Sequence, residues 1–181
     1  MKKPSAASRT IRTVVALAAL ATIAFAPGAA QAASTYTADK AHTSVGFAVR
    51  HMMSQVRGSF GDFTMTIVKD DANPAGSSVD FKIQATSVTT ANEMRDKHLR
   101  SEDFFFVEKF PEITFKSTKI EKVSDSEYKV TGDFTMRGVT RPVTLEGSIT
   151  QAIVDPWGNS RRGVSFTGKL DRKAWGISWS K

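Results

Sequence analysis

Apolar and polar residues alternate along most of the chain. Thr43, Val45, Phe47 and Val49 share one parity, while His42, Ser44, Gly46, Ala48 and Arg50 share the other. That period of two predicts a β-strand with one buried face. It returns in Phe63-Met65-Ile67, Val79-Phe81-Ile83-Ala85, Ile113-Phe115-Ser117, Tyr128 to Met136, Val143 to Ile149 and Val164 to Leu170. A short strand over 35–39 enters the domain. One long strand is expected from Gln55 to Lys69, with a bulge near Gly58 and Gly61 bringing Phe60 into phase. His51 to Ser54 reads as a connection. Asp70 to Ser77, Arg137-Gly138 and Asp155-Pro156-Trp157-Gly158-Asn159 read as turns. Trp175, Ile177 and Trp179 alternate and predict the start of one more strand.

Only one stretch breaks this period. Thr90 and Glu93 have the spacing of a capping box, which predicts a short helix over 91–100 with Met94 and His98 on one face. Phe104-Phe105-Phe106 follows it. About eight strands and one helix make the chain all-β. Alternation alone does not separate a sandwich from a barrel, since both bury one face per strand. Inward glycines at Gly132, Gly147 and Gly168 favour a curved, closed sheet. The expected fold is therefore an extended antiparallel eight-stranded β-barrel with the helix at its mouth, wide enough for one elongated ligand.

Composition changes the picture at the N-terminus. Lys2, Lys3, Arg9 and Arg12 precede an apolar run from Val14 to Ala26, and Ala30-Gln31-Ala32 is a small-x-small cleavage site. This is the pattern of a secretory signal peptide over 1–32, leaving the barrel domain over 33–181. The run is too short for a transmembrane span. The signal holds four of the 25 basic residues and no acid, so 21 basic and 18 acidic residues remain and the net charge falls from +7 to +3. These are interleaved, which disfavours nucleic acid as a partner. No cysteine is present. Disulfides and an N-terminal lipid-bearing cysteine are thereby excluded, and a periplasmic location is expected.

The chemistry is sparse. His42, His51 and His98 have no metal-ligand spacing. There is no G-x-S-x-G elbow, no thiol and no phosphate loop. Neither enzyme, metal nor cofactor is expected. The concentrated polar stretch is Arg95-Asp96-Lys97-His98 with Arg100, followed by Glu102 and Asp103. Arg95, His98 and Arg100 suit an anionic or quinone-like head group through charge-assisted hydrogen bonds; they equally suit a solvated helix face that pairs locally. Phenylalanine is frequent, with 12 residues against two tyrosines. Phe104 to Phe106 either line a cavity or form a plain hydrophobic lid.

Five ordered blocks carry a family resemblance: H-T-S-V-G-F-A-V-R-H-M-M from His42, R-D-K-H-L-R-S-E-D-F-F from Arg95, F-P-E-I-T-F-K-S-T from Phe110, G-D-F-T-M-R-G-V-T-R-P-V from Gly132 and D-P-W-G from Asp155. Together they resemble the YceI family over essentially all of 35–179. The resemblance implies a lipocalin-like barrel with a lengthwise lumen, and binding of a polyisoprenoid such as an isoprenoid quinone or polyprenyl phosphate. It further implies a link to stress responses and to quinone-handling membrane cytochromes. Phe106 stands where the family has an acid. Ala174 and Trp175 replace an acid and Phe. The family also runs on through a final strand past the position of Lys181, so barrel closure is expected to be altered here, and an unpaired edge would favour a homodimer over a monomer.

These readings combine into a carrier that sequesters an isoprenoid lipid. Its lining is expected from Val45, Phe47 and Val49, from Phe63, Met65, Phe81 and Ile83, from Phe104, Phe105 and Phe115, and from Phe134, Met136, Leu145, Phe166 and Trp175. The head group is expected at Arg95, His98, Arg100 and His51. The alternative is a secreted, stress-related interaction module whose barrel is filled by its own side chains.

Overall fold

A computed structural model describes residues 33–179; the expected signal peptide over 1–32 lies outside them. In chain order the described elements are β1 (Ser34–Thr37), β2 (Val45–His51), β3 (Ser54–Phe60), β4 (Phe63–Lys69), β5 (Ser78–Gln84), β6 (Val88–Thr89), α1 (Glu93–Arg100), β7 (Glu112–Lys122), β8 (Glu127–Met136), β9 (Val139–Ile149), β10 (Ile153–Val154), β11 (Ser160–Arg161) and β12 (Val164–Thr167). Among the described residues the chain is mostly β with one short α-helix. Every strand pair is antiparallel.

The expected eight-stranded barrel is corrected. A seven-stranded sheet runs β1-β4-β5-β7-β8-β9-β12, a three-stranded sheet runs β2-β3-β6, and β10 and β11 form a hairpin. The large sheet curls. Laid flat at about 4.8 Å per strand, its edges would stand roughly 29 Å apart. Instead Tyr36 of β1 and Val164 and Phe166 of β12 pack on one cluster, and Arg162 donates to the Tyr36 hydroxyl at 3.0 Å. The result is a half-barrel with its edge strands drawn together at one end. Alternation reports which face of a strand is buried; it does not report which strands are neighbours, and the count failed there.

The single strand expected over Gln55 to Lys69 is two strands in different sheets. The chain breaks at Gly61 and Asp62, where the Gly61 N–H bonds Ser87 O and Asp62 O accepts from the Gln84 N–H. Phe60 and Phe63 then enter the same core from either side of the break, so no bulge is needed to restore phase. The strand expected at the tail is also corrected. Arg172 to Trp175 form a 3₁₀ turn capped by Asp171, and Gly176 is left-handed at φ 76°. Trp175 and Ile177 are buried. The Trp175 indole N–H reaches Phe134 O at 3.3 Å, and the Arg172 guanidinium donates to Ile177 O and Trp179 O. Two buried apolar residues two apart mimic a strand, but here a turn buries them.

Two apolar clusters follow. One gathers Phe60, Phe63, Ile83, Ile113, Met136 and Trp175 beneath α1. The other gathers Ile67, Val79, Phe115 and Val130 where the edges converge. Phe81, Phe134 and Leu145 pack against both. Between β7 and β8 the approach is close: a Cβ on Gly132 would overlap the Lys116 carbonyl and the Phe115 ring. Gly132→Ala is therefore expected to cost about 1–3 kcal/mol by overpacking. The check is a lower urea midpoint with unchanged m; an unchanged midpoint would show that β7 and β8 separate freely at this point.

Candidate functional site

The helix that heads the site starts differently from a capping box. Asn92 is the N-cap, its side chain accepting from the Arg95 N–H, and Ala91 before it is left-handed at φ 57°. Thr90 serves another residue. Asp96 is buried and accepts from the Thr90 hydroxyl at 2.5 Å, the Thr90 N–H at 2.8 Å and the Thr89 hydroxyl at 3.1 Å. Those donors, the Thr90 hydroxyl first, hold the Asp96 carboxyl below its ordinary value against the opposing effect of burial, with Arg100 adding a smaller pull. The Thr90 hydroxyl donates to Asp96 and accepts from Arg95 Nε, so the free helix N–H is left to Asn92.

Arg95 folds back on the same residue, Nε to Thr90 Oγ1 at 2.7 Å and Nη2 to Thr90 O at 3.0 Å. His98 Nε2 lies 2.7 Å from Asp103 Oδ2, and its ring meets Phe104 and Trp179 edge-on at 5.0 and 4.8 Å. Arg100 departs from its expected place at the head group. It donates to Thr86 O at 2.9 Å and Val88 O at 2.7 Å, clamping α1 to the segment before it. Carbonyls left over by a short irregular turn are the acceptors a guanidinium fork satisfies. The His51 side chain lies outside the described residues.

The three adjacent phenylalanines diverge. Phe105 packs on Phe60 at 5.6 Å and Phe47 at 6.5 Å, and Phe104 packs on Trp179 at 5.4 Å. Phe106, left-handed at φ 49°, turns away onto Phe110 at 5.9 Å with the Arg137 guanidinium over it at 6.0 Å. Only Phe104 and Phe105 reach the interior.

That interior is a cavity of about 2080 Å³. The β2–β3 ribbon, α1 with Phe104 and Phe105, and the concave face of the large sheet border this half-open space. From the ribbon come Val45, Phe47 and Val49. From the sheet come Met65, Phe81, Ile83, Phe115, Phe134, Met136, Leu145 and Phe166. Phe63 and Trp175 do not line it. Each is buried in the cluster beneath α1, the first against Phe81 at 6.3 Å and the second pinned by its bond to Phe134 O. Arg95 and His98 lie on the cavity wall.

A polar part of the wall was not visible in the sequence. Arg161 bridges Asp39 at 2.9 Å and Asp155 at 2.5 Å, across 122 positions of chain in the first case. Burial pushes the Asp155 carboxyl up, but Arg161 and the Asn159 and Trp157 N–H groups outweigh it and hold it far below the ordinary range. The turn motif was legible here; the partner, so distant in sequence, was not. Among the described residues, no three His, Asp or Glu side chains are grouped to hold a metal.

The YceI-like domain profile matches residues 36–181. Protein YceI of Escherichia coli O157:H7 is 43% identical over 160 residues, 87% of this chain and 83% of that protein. The chain belongs to the YceI-like family. Protein YceI of Salmonella arizonae is 42% identical over 162 residues, covering 88% of this chain and 84% of that one. A crystal structure of Campylobacter jejuni YceI protein superposes with TM-score 0.64 at 37% identity, over 78% of this chain and 83% of that chain. Burkholderia cenocepacia BcnA shares the fold, with TM-score 0.72 at 22% identity over 78% and 86% of the two chains.

Within this YceI-like domain Asp96 ties the helix to the strand before it. A carboxyl depressed on folding stabilises above its unfolded value, and that stability is lost as pH falls through the folded value. Asp96→Asn is expected to flatten the acid side of a urea-midpoint profile below the ordinary value of 3.8 and to lower the midpoint at neutral pH. A wild-type acid limb in the variant would remove Asp96 from this role.

Proposed function

We propose that the protein is a periplasmic carrier that sequesters a polyisoprenoid lipid, an isoprenoid quinone or polyprenyl phosphate, in its apolar cavity. The observation that carries this reading is the size and lining of that space. At about 2080 Å³ it exceeds the roughly 300–1,000 Å³ of pockets for drug-sized ligands. Its walls carry Phe47, Phe81, Phe104, Phe105, Phe115, Phe134 and Phe166. Such a volume favours an elongated guest over a barrel filled by its own side chains.

The energetics are simple. One isoprene unit has five carbons, and at about 0.8 kcal/mol per buried CH₂ its burial is favourable by about 4 kcal/mol. A few units supply tight binding even after the ordering of the chain is subtracted. The head group then needs only a wet, polar setting, which Arg95 and His98 offer. Arg95 is exposed and already bonded to Thr90, so it suits a phosphate or carbonyl reached through water.

Native mass spectrometry followed by organic extraction tests this. A stoichiometric adduct with isoprene-spaced mass is expected, and Phe47→Asp and Phe134→Asp are each expected to abolish it. A clean apo mass after incubation with ubiquinone and with polyprenyl phosphate overturns the reading, as does full lipid loading in both variants.

A further inference from the structure

The ribbon of β2 and β3 does more than wall the cavity. Its register runs from Val45 opposite Phe60 to His51 opposite Ser54, so its two faces differ. Val45, Phe47 and Val49 share one face with Val56 and Phe60. Ala48 and Arg50 share the other with Arg57 and Gln55. The last pairing to the rest of its sheet is Ser59 opposite Thr89. At about 3.3 Å per residue the tip stands roughly 20 Å beyond that point along the strand.

The tip is apolar. Met52 and Met53 are 82% and 100% exposed, and Val49 behind them is 41% exposed. Met53 buries nothing in the protein itself, while Met52 and Arg50 also border the rim of the cavity. The ribbon is also free of acids: no Asp or Glu occurs between Lys40 and Asp62. Arg50 and Arg57 are exposed and make no ion pair among the described residues. Several cations elsewhere in the domain do pair with carboxylates, as at Lys69–Asp71, Lys82–Glu112, Lys122–Asp125 and Arg161–Asp155.

We propose that the β2–β3 ribbon is a membrane-docking finger, its methionine tip entering the interfacial region of an anionic bilayer while Arg57, and Arg50 at the cavity rim, meet the lipid phosphates. An apolar tip backed by unpaired cations is the composition that combines burial with attraction to anionic lipid. The ribbon also carries Phe47 and Val49 of the cavity wall, so a docked finger places the opening of the cavity at the lipid surface. This role rests on reading the cavity as a lipid site, because a carrier must take its cargo from a bilayer.

Co-sedimentation of the purified protein with vesicles tests it, using phosphatidylcholine alone and phosphatidylcholine with phosphatidylglycerol. Neither Met53 nor Arg57 lines the cavity, so their variants separate docking from loading. Binding is expected on the anionic vesicles, weakening with salt. Arg57→Gln should weaken it roughly fivefold, and Met53→Ser about tenfold, while lipid loading from detergent solution stays at the wild-type level in both. Equal binding to the two vesicle types, no binding, or indifference to both substitutions overturns the docking role. A dimer that dissociates on Met53→Ser would assign the tip to a second copy and overturn it equally. Vesicle binding by a protein that never loads lipid would leave the finger standing and sink the carrier reading instead; loading without vesicle binding would do the reverse.

Discussion

The cavity depends on three rings. Phe47 on β2, Phe60 at the end of β3 and Phe105 after α1 meet tilted or edge-on, with centroids 5.6, 5.6 and 6.5 Å apart. Backbone pairing adds little to them, since the ribbon meets β6 only at Ser59 and Phe60. Each aromatic contact adds about 0.5–1.5 kcal/mol beyond the area it buries. Remove the triad and the ribbon loses the contact that sets its distance from the sheet, and with it one wall of the cavity. The second cluster takes nothing from the ribbon, whereas the first would lose Phe60 and the packing of Val45 and Phe47 against it.

Around that triad the irregular segments are held by arginines bonded to backbone carbonyls. Arg100 takes Thr86 O and Val88 O. Arg137 takes Glu102 O and Phe104 O. Arg141 takes Ala174 O, and Arg172 takes Ile177 O and Trp179 O. Hydrogen bonds from charged donors contribute about 1.5–3 kcal/mol each, and carbonyls in turns have no ladder partner of their own. Arg100, which resembles a ligand-binding cation in the sequence, thus joins three other guanidinium groups in fixing irregular segments. Arg95 is the cation of α1 that combines a local bond with a place on the cavity wall.

The sequence made the strands legible because their burial is one-sided, and a period of two reports that directly. It made most of the lining legible too, since Phe47, Phe81, Phe115, Phe134 and Phe166 keep parity with their neighbours. What it hid has physical causes. Trp175 keeps parity yet sits on a 3₁₀ turn. Phe60 and Phe63 break parity because two sheets share one core. Thr90 matches a cap motif, but its hydroxyl is engaged by Asp96 and Arg95 and the helix starts two residues later at Asn92. Phe104, Phe105 and Phe106 are identical in composition and separate only through the left-handed backbone at Phe106. Asp39 and Arg161 meet only after the sheet has curled.

The curl and the cavity also constrain stability. Protein interiors are ordinarily packed with few voids larger than a water molecule. Here Phe81, Phe134 and Leu145 serve two clusters and still border open space. Their cavity-facing atoms forgo dispersion contacts that a close-packed core would supply. A guest that fills the space restores those contacts, so occupancy and folding are coupled through RT ln(1 + [L]/Kd). The same coupling explains why the ribbon can be attached so lightly. An apolar guest beneath it would add contacts to Val45, Phe47 and Val49 beyond those the protein provides, so the wall most easily displaced is the one that a guest would most strengthen.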